Sequence, residues 1–232
     1  MTKKWSRAEV AATMDHAALM PTMSDADITE QCELGARCKT ASVCVRPSDA
    51  PLAAKALEGS GVPVCVVVGF PHGSNRPEVK ALEGKLAIQD GATELDMVMN
   101  IGKLMSEDYD WVKRDIEGVV AEAKAIEGVK VKVIIESCFL SPEQIVKACE
   151  IARDAGADWV KTSTGFGSGG ATPEAIGLMI KTVGDVMQVK ASGGVRDYET
   201  ACAYLNQGCT RLGTAGGTSV ICENAPETGG EY

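Results

Sequence analysis

Two lysines and an aspartate carry the chemical interest of this 232-residue chain. Lys161 follows Asp158-Trp159-Val160 and precedes Thr162-Ser163-Thr164-Gly165, and Lys190 follows Gln188-Val189 and precedes Ala191-Ser192-Gly193-Gly194. Both close short apolar runs that read as strands, where an unpaired lysine is rare. A single strand-end lysine that snorkels to solvent or pairs with a carboxylate needs no functional reading. Two on successive strands, with Asp96 at the end of a third, call for one. A neighbouring cation lowers the pKa of an amine and leaves it nucleophilic near neutral pH. That is the requirement for forming an imine with a carbonyl. A carboxylate at the same point can relay the proton that an enamine step must move.

The other strand ends offer less. Cys44 reads as core packing or as the wall of a pocket, and Glu136 as a group that orients a lysine or caps a loop. His72 reads as a loop residue, and Met97 and Met99 as core filling. The stretch Gly165-Phe166-Gly167-Ser168-Gly169-Gly170 formally matches GxGxxG, yet Asp185 precedes the next strand instead of ending it. A flexible loop over a barrel mouth is the better reading. Two further glycine turns, Gly193-Gly194 before Val195-Arg196 and Gly213-Thr214-Ala215-Gly216-Gly217, follow the last two strands. Such turns serve positive φ angles or bind an anion through backbone N–H groups. Arg196 tilts the choice toward an anion.

The elements that must position these groups follow one rhythm. Expected strands cover 42–45, 62–68, 94–99, 131–135, 159–161, 187–191 and 210–212, apolar at nearly every position, as strands covered on both faces require. Expected helices include 77–90, 110–126, 142–155, 173–183 and 198–207, several opened by Ser or Thr before Pro. Glycines 91, 156 and 208 stand where helices end. Seven βα units are evident, and residues 14–18, after a first helix at 7–12, supply an eighth strand. Seven units would leave an open sheet, whereas eight close into a single-domain (β/α)8 TIM barrel, the favoured α/β architecture, spanning residues 1–222.

Composition narrows the function classes. The net charge of −9 argues against a nucleic-acid surface, which needs clustered Lys and Arg, and against an anionic membrane. It leaves room for a small anionic substrate held by a local nest of donors. The nine cysteines are odd in number, form no CxxC pair and sit partly inside apolar runs, the pattern of buried free thiols in a reducing compartment. With only His16 and His72, a structural zinc site is not expected. The N-terminal residues lack an apolar targeting segment, so a cytoplasmic location is expected.

Five stretches, 64–71, 94–102, 132–136, 155–167 and 189–196, resemble deoxyribose-phosphate aldolase, and the resemblance runs from about Met14 to Val220. It implies a class I aldolase on a (β/α)8 barrel, free of metal and cofactor. Such an enzyme reversibly cleaves 2-deoxy-D-ribose 5-phosphate to D-glyceraldehyde 3-phosphate and acetaldehyde. Carried onto this chain, Lys161 is the Schiff-base lysine, Lys190 the cation beside it and Asp96 part of a proton relay with water. Thr164, Gly165, Gly193, Gly194, Arg196 and the turn containing Gly213, Thr214, Gly216 and Gly217 match the family's phosphate end. The implied partners are small aldehydes and sugar phosphates, with no nucleic acid or membrane, and a homo-oligomer of two or four copies. An unphosphorylated aldehyde as preferred substrate, or an inactive barrel serving as a scaffold, are the competing readings.

Three departures from the family pattern bear on the substrate. The usual Asp-His-Thr-Leu-Leu-Lys-Pro reads Asp15-His16-Ala17-Ala18-Leu19-Met20-Pro21, losing a hydroxyl and a cation. The usual paired serines of the last turn are replaced by Ala215 and Gly216. Arg46 stands where relatives commonly carry Asn. The first two make the pocket less polar and favour a relaxed preference for the phosphorylated substrate. The polar segment 223–232 reads as a mobile tail, and Tyr232 as a residue that could fold over the barrel mouth, as in some members.

Overall fold

The computed structural model describes residues 3–223. Eight parallel strands close into one barrel in chain order: β1 Met14–Ala18, β2 Ser42–Val45, β3 Val64–Val68, β4 Glu94–Val98, β5 Lys130–Ile134, β6 Trp159–Lys161, β7 Gln188–Ser192 and β8 Arg211–Thr214. The seam is β1 on β8, with Asp15 opposite Gly213. The helices are α1 Arg7–Ala11, α2 Asp25–Cys38, α3 Ala50–Ala56, α4 Pro77–Gln89, α5 Ile101–Met105, α6 Tyr109–Lys124, α7 Pro142–Asp154, α8 Pro173–Val183, α9 Tyr198–Gln207 and α10 Gly217–Glu223. Among the described residues no helix is long and apolar enough to cross a membrane. Glu223, expected in the tail, closes α10 and pairs with Arg37 at 2.8 Å. Tyr232 lies outside the described residues.

Helix starts follow local chemistry. At α7, Ser141 accepts from the Gln144 amide while Gln144 returns a bond to the Ser141 backbone, and Pro142 supplies a preset φ. The same helix stops before Gly156, whose φ of 85° is open to glycine and costly for other residues. The Ala157 amide then reaches back to the Ala152 carbonyl, and the chain turns directly into β6.

The strands alternate more sharply than the sequence suggests. Val43, Val45, Val64, Val66, Val68, Leu95, Met97, Val131, Val133, Val160, Val189, Ala191 and Leu212 pack outward with the helices in the main core. The alternate positions point into the lumen, where Leu19, Cys44, Cys65 and Val67 form a separate small cluster. Below it lie the buried charges of Asp15, Asp96, Lys132, Lys161 and Lys190. The expectation of strands apolar on both faces is therefore corrected: the outer face is apolar, and much of the inner face is ionic.

His16 faces outward from β1 and ties three elements. Its Nδ1 lies 2.7 Å from Thr218 Oγ1 on α10, and its Nε2 lies 2.8 Å from Gln31 Oε1 on α2. Burial pushes its pKa down from 6.5 to about 4, against the pull of Gln31. The folded protein thus takes up the proton later than the unfolded chain as pH falls. Stability from this group is fully present above pH 6.5 and lost between 6.5 and about 4. The loss amounts to roughly 3 kcal/mol at about 1.4 kcal/mol per pKa unit. Urea unfolding at pH 7 and pH 4.5 is expected to show a smaller acid penalty in His16→Gln than in the parent. Equal penalties would contradict the assignment.

Candidate active site

Strand register builds the lumen. Lys161 on β6 is the direct neighbour of Lys190 on β7, Lys190 of Arg211 on β8, and Asp96 on β4 of Lys132 on β5. The amines of Lys161 and Lys190 both donate to Asp96 Oδ2, each at 2.7 Å. Lys132 donates to the other oxygen, Asp96 Oδ1, at 2.7 Å and pairs with Glu94 at 2.5 Å. Asp15 accepts from Lys190, from Arg211 at 2.6 Å and from the Ser42 hydroxyl at 2.7 Å. Arg211 also forks onto both oxygens of Glu94 at 3.0 Å.

Burial works against every charge in this cluster, and the neighbouring charges overcome it. Asp96 is held well below the usual carboxylate range by Lys132, Lys161 and Lys190, and Asp15 likewise by Lys132, Lys190 and Arg211. Asp15 and Asp96 in turn hold Lys190 and Lys132 above the ordinary lysine range. Lys190 is thus a fixed cation beside Lys161. Among the described residues, Lys132, Lys161, Lys190 and Arg211 form salt bridges with three carboxylates, Asp15, Glu94 and Asp96, and Glu136 also feels the charge of Lys161. Among these salt bridges Lys161 joins one carboxylate, Asp96, which Lys132 and Lys190 also hold. Its proton can leave while every carboxylate keeps a cationic partner.

The cavity above this cluster brings together most of the residues singled out in the sequence. Lys161, Lys190, Cys44, Thr164, Gly165, Gly193, Gly194, Arg196, Gly213 and Thr214 all line it, with Asp15, Ala17, Leu19 and Ala215. Three do not. Asp96 is fully buried beneath the floor and reaches the cavity only through the two amines. Gly216 is exposed at the rim, and Gly217 is packed where a Cβ would lie 2.6 Å from Thr214 Oγ1 and 2.8 Å from the Val195 carbonyl. Lys190 and Asp96 also sit mid-strand instead of at strand ends. Their side chains therefore form one layer below the mouth, at the depth where Lys161 ends β6.

The loops over the mouth are held by specific contacts. Glu136, in the left-handed region at φ 48°, accepts from the Thr164 amide and hydroxyl, and so caps the segment that follows Lys161. Burial raises its carboxyl above the usual range. The glycine-rich loop read as flexible is seated at its far end. A Cβ on Gly170 would meet the Gly193 carbonyl at 2.3 Å, so only glycine permits this approach. Arg46 pairs with Asp49 and donates to the carbonyls of Met20 and Met23, at 2.9 and 3.1 Å. The residue that departs from the family pattern thus clamps the loop after β1. Asp15, Glu94, Lys132 and Arg211 were given no role by the sequence. The available signal was spacing: Glu94 and Asp96 stand two apart on one strand, so they share a face.

A closed (β/α)8 barrel with an accessible amine, a second amine and a shared buried carboxylate at its mouth has the constitution of a barrel aldolase. The pattern described as DeoC/LacD family aldolase matches residues 9–218. Deoxyribose-phosphate aldolase of Clostridium perfringens strain 13 is 52% identical over 217 residues, covering 93% of this chain and 95% of that protein. The Thermococcus gammatolerans protein of the same name is 49% identical over 215 residues, covering 92% and 95%. The structure of the aldolase QR15 superposes with a TM-score of 0.88 at 39% identity, covering 93% of this chain and 96% of the other. That of the Aeropyrum pernix deoxyribose phosphate aldolase, described as tetrameric, gives 0.87 at 30%, covering 94% and 92%. The chain belongs to the deoxyribose-phosphate aldolase family, and is a carbon–carbon lyase.

Proposed function

We infer that this chain reversibly cleaves 2-deoxy-D-ribose 5-phosphate to D-glyceraldehyde 3-phosphate and acetaldehyde through an imine on Lys161. The observation that carries this reading is the pair of 2.7 Å bonds from Lys161 and Lys190 to one oxygen of Asp96. Lys161, uncharged, attacks the aldehyde carbon, and water leaves to give the iminium. That electron sink lets the bond between the second and third carbons break as the third carbon's hydroxyl loses its proton. Glyceraldehyde 3-phosphate departs, and the acetaldehyde enamine on Lys161 is protonated and hydrolysed. Lys190 stays cationic beside the reacting amine, held so by Asp15 and Asp96. Asp96, held ionised, orients both amines, and its part in a proton relay with water runs through those amines. Acetaldehyde with borohydride is expected to leave one ethyl group on Lys161, located by peptide mass mapping. An unmodified Lys161 would overturn the assignment.

The phosphate end supports a relaxed preference for the phosphorylated substrate. Ala215 offers no hydroxyl, and the Thr214 hydroxyl is spent on the Val195 carbonyl at 2.6 Å. The backbone of Gly193 and Gly194 and the exposed Arg196 remain. Each missing hydrogen bond to a charged group costs about 1.5–3 kcal/mol. Two such losses weaken phosphate binding by about one to four decades. The ratio of kcat/KM for deoxyribose 5-phosphate over deoxyribose is expected to stay below about a thousandfold and to rise in Ala215→Ser/Gly216→Ser. A preference of many thousandfold in the parent would refute this.

Assembly into two or four copies, in the cytoplasm, completes the reading. Val79, Leu82 and Leu86 of α4 are 49%, 55% and 49% exposed and share one helix face, an apolar stripe suited to a second copy. Light scattering is expected to give a multimer, and Leu82→Lys to shift it toward monomer. A monomeric parent would exclude the assembly. The buried thiols Cys32, Cys44, Cys65, Cys149 and Cys209 suit a reducing compartment.

A further inference from the structure

Cys44 and Cys65 take no part in the aldol chemistry described above, yet they meet at its centre. They are direct register neighbours on β2 and β3. Both point into the lumen with Leu19 and Val67. The two sulfurs and a carboxylate oxygen of Asp96 lie within 4.8 Å of one another. Adjacent strands run about 4.7–4.9 Å apart, and disulfides join Cα atoms roughly 4.4–6.8 Å apart. The pair therefore meets the backbone requirement for a cross-strand bond. A metal ion on the same three groups is disfavoured, because Asp96 already holds three ammonium groups that would repel it.

We propose that Cys44 and Cys65 are an oxidation site, at which a small hydroperoxide forms a reversible disulfide that switches off the aldolase. Access and reactivity are divided between the two. Cys44 lines the substrate cavity, whereas Cys65 is fully buried behind it. The Cys44 sulfur attacks the peroxide and the O–O bond breaks. Cys44 becomes a sulfenic acid, and its thiol proton leaves with the departing oxygen as alcohol or water. Cys65 then attacks the sulfenic sulfur, the S–O bond breaks, and the Cys65 proton leaves with that hydroxyl as water. Two electrons from the two sulfurs have reduced one peroxide. Burial and Asp96 raise the Cys65 thiol, so its proton leaves in step with the S–S bond, and Lys132, 3.4 Å from Cys65 Sγ, offsets part of that cost.

The consequence for catalysis follows from what Cys65 touches. In the reduced protein its thiol donates to Asp96 Oδ1 at 3.2 Å. The disulfide removes that donor and draws Cys65 away from Asp96 and Lys132. Asp96 is the group that orients both Lys161 and Lys190, so the bond formed at the wall reaches the reacting amine through one carboxylate.

The test treats the reduced full chain with hydrogen peroxide, blocks remaining thiols and maps peptides without reduction. The same is done in a Cys38→Ser background. Cys38 on α2 and Cys222 on α10 line one surface cleft as a second candidate thiol pair, and this background removes it. Each rate is compared with that of the same variant untreated. The expected result is a Cys44–Cys65 cross-linked peptide lighter by two hydrogens. Turnover falls in step with its formation, and dithiothreitol restores it. In Cys65→Ser the cross-link is absent and dimedone captures a sulfenic acid on Cys44. Linkage confined to Cys38 and Cys222 would overturn the proposal. So would a Cys44–Cys65 link with turnover retained, or no link at all.

Discussion

The Lys161→Met variant is expected to lose turnover by about four decades or more, since it lacks the covalent nucleophile. It should also form no acetaldehyde adduct under borohydride. Its fold should survive. The substitution removes one of four cations facing three carboxylates and leaves Asp96 with Lys132 and Lys190 at 2.7 Å each. The apolar side chain is comparable in length and pays no charge burial. A loss of activity without a fall in Tm therefore separates chemistry from structure. The companion variant Lys190→Met keeps the nucleophile but removes the fixed cation held by Asp15 and Asp96. It should lose about two to four decades at neutral pH. Single-turnover adduct formation followed against pH checks both. A Lys161→Met protein that still forms an adduct, on Lys190 or elsewhere, would reassign the nucleophile.

That Lys161, Lys190 and Asp96 could be singled out before the fold reflects a contrast in the sequence. A charge that interrupts a short apolar run asks for a reason, and Lys161, Lys190 and Asp96 each interrupt such a run near its expected C-terminal end. The barrel was legible for a related reason: the outward valines that cover it repeat in every strand. What escaped was the inward layer as a whole. Glu94, Lys132 and Arg211 stand at or next to expected strand starts, where a charged residue reads as a solvated end. Only barrel closure turns those positions inward and sets Arg211 against Asp15 and Glu94 from strands far apart in sequence. Side-chain aim was equally hidden. Thr214 lies in the turn expected to hold phosphate, but its hydroxyl is committed to Val195. Arg46 suggested a changed pocket, and its three partners instead fix the loop after β1. Short helices such as α5 and α10 give too few turns for periodicity to mark them.

The largest stability effect is expected from a pair that no strand-end reading would select. Lys80 on α4 and Asp115 on α6 are fully buried, with Nζ 2.6 Å from Asp115 Oδ2 and 2.7 Å from the Val98 carbonyl that ends β4. Burial pushes the Asp115 carboxyl up to about 6 against the pull of Lys80, and pushes Lys80 down against the pull of Asp115. Both directions say that the ionised pair is costly to bury. Among the described residues Asp115 Oδ1 finds no hydrogen-bond partner, which adds to that cost. Removing one member strands the other as an unpaired buried charge, worth about 3–5 kcal/mol. At about 2–4 °C per kcal/mol for a chain of this size, Lys80→Met or Asp115→Leu should each lower Tm by about 6–20 °C. The double variant removes both charges and should recover most of that loss. It should keep a deficit of about 1–3 kcal/mol from the Val98 carbonyl left without its donor. A double-mutant cycle by urea unfolding measures the coupling. Single effects that simply add would show that the two side chains act independently. Strong coupling with an incomplete recovery would show the pair bracing β4, the strand that holds Asp96 under the amines of Lys161 and Lys190.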